Sequence, residues 1–248
     1  IANATSYQVL TPKFPIYPNA ANSLSASKTT EAFVPVYGPA TRVNRQTHTW
    51  VTAKNPTLSY TLVIEDDVFA RDYGPTYNRM VRIETDGAVT TVRTKPNTHV
   101  HGVSYDGAYV YWLELSGGVD PLGAQSHLEV WRTAYTRDVM AFNTNAEMLA
   151  SLDGSFEQGG SFVYDGVFVA STIYEAIVVR VSDKKVKRLV AAPTIQFQPF
   201  YVDQKEIWMR YEVAKPADVH FAKVALDRDS VAFVRGNIER FEDRLSLT

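Results

Sequence analysis

Gly102-Val103-Ser104-Tyr105-Asp106-Gly107-Ala108-Tyr109-Val110-Tyr111-Trp112 reads as an apolar strand, an Asp at a tight turn, and a second, aromatic strand. The same order returns in Ser161-Phe162-Val163-Tyr164-Asp165-Gly166-Val167-Phe168-Val169-Ala170-Ser171. It returns more loosely in Phe200-Tyr201-Val202-Asp203-Gln204-Lys205-Glu206-Ile207-Trp208-Met209-Arg210. A third strand follows each copy, over 128–133, 176–182 and 219–226, and in the middle copy Asp183-Lys184-Lys185 leads to a fourth over 186–190. An earlier copy spans 59–93, with its turn at Asp66-Asp67. These runs are rich in Val, Ile, Tyr, Phe and Trp and are bounded by Gly, Asp, Asn or Pro, the pattern of short strands. The turn residues Asp66, Asp106, Asp165 and Asp203 lie 40, 59 and 38 residues apart. A four-stranded unit repeating at about 40–60 residues is the signature of β-propeller blades, whereas a sandwich has no reason to repeat. Helical patterning is confined to two short, weakly capped windows, 144–152 and 237–245.

The phrase Tyr109-Val110-Tyr111-Trp112-Leu113-Glu114, followed by a strand ending in a basic residue (Val130-Trp131-Arg132, or Val179-Arg180), resembles the YWTD-type and related bacterial β-propellers. The resemblance covers about four units, residues 47–235, with Leu113-Glu114 in place of the Thr-Asp of that motif. It implies a fold and no particular ligand. Residues 1–46 hold one further strand group, at 33–37 and 40–43, behind a Ser-, Asn- and Ala-rich stretch at 19–30. A propeller avoids exposed sheet edges by closing a ring, commonly with strands from both termini in one blade. The expected architecture is therefore a single all-β domain over 1–248. It comprises an N-terminal segment (1–46), four internal blades (47–235) and a ring-closing C-terminal segment (236–248). That makes five blades, or six or seven if the chain is a fragment.

Composition narrows the chemistry. Of 248 residues, 45% are hydrophobic and 21% charged, the balance of a globular protein with a full core, and the formal net charge of −2 excludes a broadly basic nucleic-acid binder. The absence of Cys excludes a disulfide scaffold, a thiol nucleophile and a Cys-ligated metal. No apolar run approaches the ~20 residues of a membrane helix. A small, polar opening at Ile1 and 14 Tyr with no free thiol suit a secreted or envelope protein, although lack of Cys is equally compatible with cytosol. Phosphate-loop, nucleophile-elbow, His-Glu-x-x-His and dinucleotide motifs are missing from the sequence.

In a propeller the first strand of each blade is innermost, and the copies align the start of that strand without any structure. His99, Gln158 and Gln196 fall seven residues before the turn Asp, and His101 and Gln198 five before. Strand alternation puts residues two apart on one face, so these five side chains should converge on one channel mouth. Two imidazoles from His99 and His101 could ligate one divalent metal ion with a Gln and water, act as a general base, or fill a polar channel with mutual hydrogen bonds. Two histidines fall short of a three-ligand protein site, which favours the last. Asp72, in the charged stretch Glu65-Asp66-Asp67…Arg71-Asp72, is a separate acid candidate. Tyr73 and Tyr77, beside Gly74-Pro75, are candidate stacking surfaces for a sugar.

These patterns lead to an extracellular or envelope binding propeller that takes a carbohydrate or another small polar ligand at the channel mouth. A glycan lyase or hydrolase using the His/Gln cluster, with or without a metal, is the alternative. A scaffold for a protein partner is the third. Fold cannot choose among them.

Overall fold

A strand that is apolar at consecutive positions must be covered on both faces. Val167-Phe168-Val169-Ala170-Ser171 is such a strand, and every one of its five residues is buried. The protein meets this demand by stacking sheets. The computed structural model describes residues 31–34, 41–44, 49–52, 58–64, 67–73, 78–84, 86–117, 127–153, 160–172, 175–191, 195–213, 219–227, 231–233 and 245–247.

The described residues form five antiparallel sheets in chain order. The first is β1 (Glu31–Val34), β2 (Thr41–Asn44) and β3 (Thr49–Thr52). The second is β4 (Leu58–Ile64), β5 (Asp67–Tyr73), β6 (Asn78–Ile83) and β7 (Val89–Arg93). The third is β8 (Thr98–Tyr105), β9 (Tyr109–Ser116), β10 (His127–Ala134) and β11 (Glu147–Asp153), with a short helix α1 (Val139–Thr144) between the last two. The fourth is β12 (Gly160–Tyr164), β13 (Val167–Ser171), β14 (Glu175–Arg180) and β15 (Lys185–Ala191). The fifth is β16 (Ile195–Val202), β17 (Glu206–Val213), β18 (Val219–Ala225) and β19 (Val231–Phe233). In each sheet the strands pair in sequence order, so its first strand is an edge. β20 (Leu245–Leu247) pairs with β15 on the far edge of the fourth sheet, not beside β1–β3 where a terminal blade would place it.

Strand alternation divides each interior sheet between two neighbours. On β9, Val110 and Trp112 pack with Leu62, Phe69 and Met80 of the second sheet, while Tyr111, Leu113 and Leu115 pack with Phe168 and Ala170 of the fourth. On β13, Phe168 and Ala170 face the third sheet, and Val167 and Val169 pack with Val202, Ile207 and Met209 of the fifth. Tyr111 and Phe168 stack with centroids 5.8 Å apart. Successive sheets also touch along their first strands, β8 against β12 and β12 against β16.

The turn aspartates close the hairpins. Asp106 accepts from the backbone N–H of Ala108 and Tyr109 through Oδ1 and from the Tyr111 hydroxyl through Oδ2. Asp203 repeats this with Lys205, Glu206 and Tyr201. Asp165 does something else: with φ +48° ahead of Gly166 at +69° it forms a left-handed two-residue turn that suits the twist of its strands. Asp66 lies outside the described residues.

The first of the two weak helical windows is mostly strand. Residues 147–153, most of the 144–152 window, form β11, which pairs with β10 and buries Leu149 and Ala150. The helix comes just before, capped by the Asp138 carboxylate on the N–H groups of Met140 and Ala141. Its Phe142 is buried against Phe69 and Trp112. The apolar spacing of 147–152 suited either period, and the open edge of β10 decided it. The 237–245 window lies outside the described residues except at Leu245, which opens β20.

Removing a ring from between two sheets leaves a void that neither can fill. Phe168→Ala is expected to cost about 3–5 kcal/mol in a urea melt, whereas Met140→Ala, at a side chain 78% exposed, should fall within about 0.5 kcal/mol of the parent. Equal midpoints for the two variants would contradict the stacked-sheet core.

Candidate functional site

The first strand of the third sheet carries an irregularity that sets its chemistry. Pairing of β8 with β9 slips between His101 and Ser104, and Gly102 sits at φ +58°. The positive φ favours glycine, and a Cβ there would press on Ser161 Oγ at 3.0 Å and Leu113 Cδ1 at 3.2 Å, so both would have to give way. Ser161 donates to the Gly102 carbonyl at 2.5 Å, which leaves Ser104 as donor to Ser161 Oγ at 2.7 Å. This hydroxyl relay ties β8 to β12. The first strands of the second and fifth sheets also slip, between Ser59 and Leu62 and between Pro199 and Tyr201.

Just before the bulge, His99 and His101 lie opposite Leu115 and Leu113 of β9 and stack on each other with ring centroids 5.8 Å apart. Because β8 is an edge strand, side chains of the second sheet reach them. Arg71 of β5, 4% exposed, places Nη1 2.7 Å from His101 Nδ1. The backbone N–H of Asn78 in β6 donates to His99 Nδ1 at 3.2 Å. A guanidinium is always a donor, so His101 Nδ1 accepts and its proton sits on Nε2; the same reasoning puts the His99 proton on Nε2. Burial, then the Arg71 charge, then His99 push His101 down to about 3, and burial with Arg71 lowers His99. The two imidazoles are neutral at physiological pH, each with Nδ1 committed and Nε2–H as a donor.

The other candidates distribute as follows. Asp72 is buried, and strand alternation sends it away from its neighbour Arg71; both Nε and Nη2 of Arg79 lie 2.7 Å from its Oδ2. Gln196 and Gln198 are exposed on β16, the first strand of the fifth sheet as β8 is of the third. Gln158, Tyr77 and the side chain of Tyr73 lie outside the described residues. Asp67 is fully buried and accepts a hydrogen bond from the Tyr135 hydroxyl, with Arg137 at 3.4 Å, so it fastens the second sheet to the third. Arg71 was the residue that strand alignment missed, because its position is on a second strand. Its sequence signals are a charge directly after the apolar run 68–70 and its place in the charged stretch that ends at Asp72.

As a metal site the pair is poorly disposed. The Nδ1 lone pairs are used, the Nε2 atoms carry protons, and a fixed cation stands 2.7 Å from one ring. Among the described residues no group of three or more His, Cys, Asp or Glu side chains gathers as a metal shell would, and no helix is long and apolar enough to cross a membrane.

No protein-family model matches the sequence, and no curated protein does. Among solved structures, a protein described as TolB from Agrobacterium tumefaciens is similar at 11% identity and a TM-score of 0.44, over 83% of this chain and 76% of that one. TolB from Acinetobacter baumannii is similar at 12% identity and a TM-score of 0.40, over 89% of this chain and 61% of that one. The likeness is partial, and the fold rests on the sheet order and packing described above.

The buried neutral histidine makes stability depend on pH. His101 has a folded value below its unfolded ~6.5, so the native state holds fewer protons between the two. The stability is fully present above about 6.5 and lost as pH falls towards 3, by up to ~1.4 kcal/mol per pH unit. His101→Gln keeps an acceptor for Arg71 and cannot titrate. Its melting temperature should fall less steeply than that of the parent between pH 7 and pH 4, and parallel curves would show that His101 is not held neutral.

Proposed function

We propose that this protein is an extracellular or envelope binding module of β-propeller type that takes a polar ligand rich in acceptor oxygens. A carbohydrate bearing a carboxylate is the class that fits best. In this reading the five sheets are blades of one ring, and β1, β4, β8, β12 and β16 line its channel. The observation that carries the reading is the Arg71–His101 contact at 2.7 Å with His99 stacked beside it. A buried guanidinium beside two imidazoles with their protons on Nε2 makes the local field positive, which favours carboxylate and hydroxyl oxygens and disfavours cations. Exposed Gln196 and Gln198, on the corresponding strand of the fifth sheet, would add adaptable amide contacts.

The same chemistry weighs against the glycan lyase or hydrolase using these histidines. A general base needs an available imidazole lone pair, and here both Nδ1 atoms already accept hydrogen bonds.

An array of neutral and uronate-bearing oligosaccharides tests the proposal, followed by calorimetric titration of any ligand found. Uronate-bearing glycans should be preferred, and Arg71→Gln, which removes the buried charge behind His101, should weaken them by about 10-fold. Gln196→Ala/Gln198→Ala, at exposed positions that do not endanger folding, should weaken binding to a smaller extent. Binding confined to neutral glycans, an affinity indifferent to all of these changes, or no binding at all would overturn it.

A further inference from the structure

Beyond β9 from the edge strand β8, the outer pair of strands in the third sheet carries a second constellation. Register sets His127 of β10 opposite Asp153 of β11, and Glu129 opposite Ser151. Ser151 and Asp153 are two apart on one strand and so share a face, and His127 lies between them. His127 Nδ1 is 2.8 Å from Asp153 Oδ1, and Ser151 Oγ is 3.0 Å from His127 Nε2. A carboxylate is an acceptor, so Nδ1 carries the proton and the Nε2 lone pair is turned to the serine hydroxyl. This is the opposite tautomer to that of His99 and His101, and it is the one a base needs to take a proton from serine.

Two further features suit the same chemistry. Glu129 Oε1 stands 3.6 Å from His127 Nε2, while its Oε2 is held by Lys95 at 3.2 Å and by the Trp131 indole N–H at 3.0 Å. Glu129 thus lies on the Nε2 side of the ring and Asp153 on the Nδ1 side. In addition, β11 is the edge of its sheet. Among the described residues no further strand pairs with it, so this side of Ser151 is left open.

We propose that Ser151 is a nucleophile activated by His127, with Asp153 as the positioning residue, and that this face cleaves esters. Ser151 Oγ bonds to the acyl carbon as its proton passes to His127 Nε2. That proton then goes to the departing alkoxide as the ester C–O bond breaks. Water, deprotonated in turn by His127, attacks the acyl-serine, releases the carboxylic acid and restores the hydroxyl. The side chains of His127 and Asp153 are 39% and 98% exposed, so the site is open. It suits small acyl esters carried on a larger molecule, and its exposure to water makes for a slow catalyst. None of these residues touches the Arg71 cluster, so this inference stands or falls apart from the binding reading.

The intact protein is treated with a fluorophosphonate probe and the adduct mapped by mass spectrometry, alongside hydrolysis of p-nitrophenyl acetate. One adduct is expected, on Ser151, and Ser151→Ala should abolish both it and turnover. His127→Gln should slow both by ~100-fold, the usual contribution of a general base. Asp153→Asn should lower kcat with little change in KM, and Asp153→Glu should recover part of the loss. All three positions are on the surface, and matching melting temperatures confirm intact variants. No adduct on Ser151, or an adduct formed as fast in His127→Gln or in denatured protein, would overturn the proposal and leave a cross-strand hydrogen bond only.

Discussion

Burial of both faces of each interior sheet is the constraint from which the rest of this structure follows. A half-exposed sheet can place charge on its outer face, but β9 and β13 have no outer face. Six consecutive residues of β9, from Val110 to Leu115, are buried, and Glu114 among them must find its partners inside. Apolar burial at roughly 25 cal/mol per Å² drives the stacking, and every buried polar group must then be satisfied between sheets. Polar groups therefore gather where sheets meet along their first strands, where Arg71 of β5 reaches the histidines of β8, and on the outer strands, where His127 and Ser151 lie.

The tryptophans show how the buried charge is managed. Trp112 donates its indole N–H to Glu114, Trp131 to Glu129 and Trp208 to Glu206, in each case two residues along the same strand. Arg93 bonds Glu114 at 2.6 Å while its guanidinium lies 5.6 Å and 5.2 Å from the Trp112 and Trp131 rings. The repeated pairing of an indole with a carboxylate, and of a cation with both, lets aromatic bulk and charge occupy one layer. Arg180 does comparable work at the turns, where it bonds Asp183, Asp227 and the Gln204 carbonyl and so joins the fourth sheet to the fifth. Those carboxylates are exposed, so this clamp contributes geometry more than energy.

The two histidine sites differ for one physical reason, the partner presented to Nδ1. Beside Arg71 the imidazole is an acceptor there and a donor at Nε2. Beside Asp153 the roles reverse. One sequence thus holds a donor cluster suited to binding anionic oxygens and a proton acceptor beside a hydroxyl. Residue type alone could not have separated them.

Strand periodicity and turn chemistry are local, and they were legible in the sequence. Val167–Ser171 forms a strand over the residues its composition marked, the unit read at 59–93 is a four-stranded sheet from Leu58 to Arg93, and Asp106 and Asp203 cap the turns their spacing announced. The adjacency of His99 and His101 followed from alternation alone. Three things did not follow, because each depends on residues far apart in the chain. Arg71 meets His101 across 30 residues and two sheets. Residues 147–153 became a strand only because β10 offered an edge to pair with. Ser151 and His127 lie 24 residues apart and meet by a register that no local pattern encodes. Most strands and their turns were readable from the chain alone, since those preferences are set by each residue and its near neighbours. Which charge faces which imidazole depends on how one sheet is laid against the next, and the folded molecule alone reveals it.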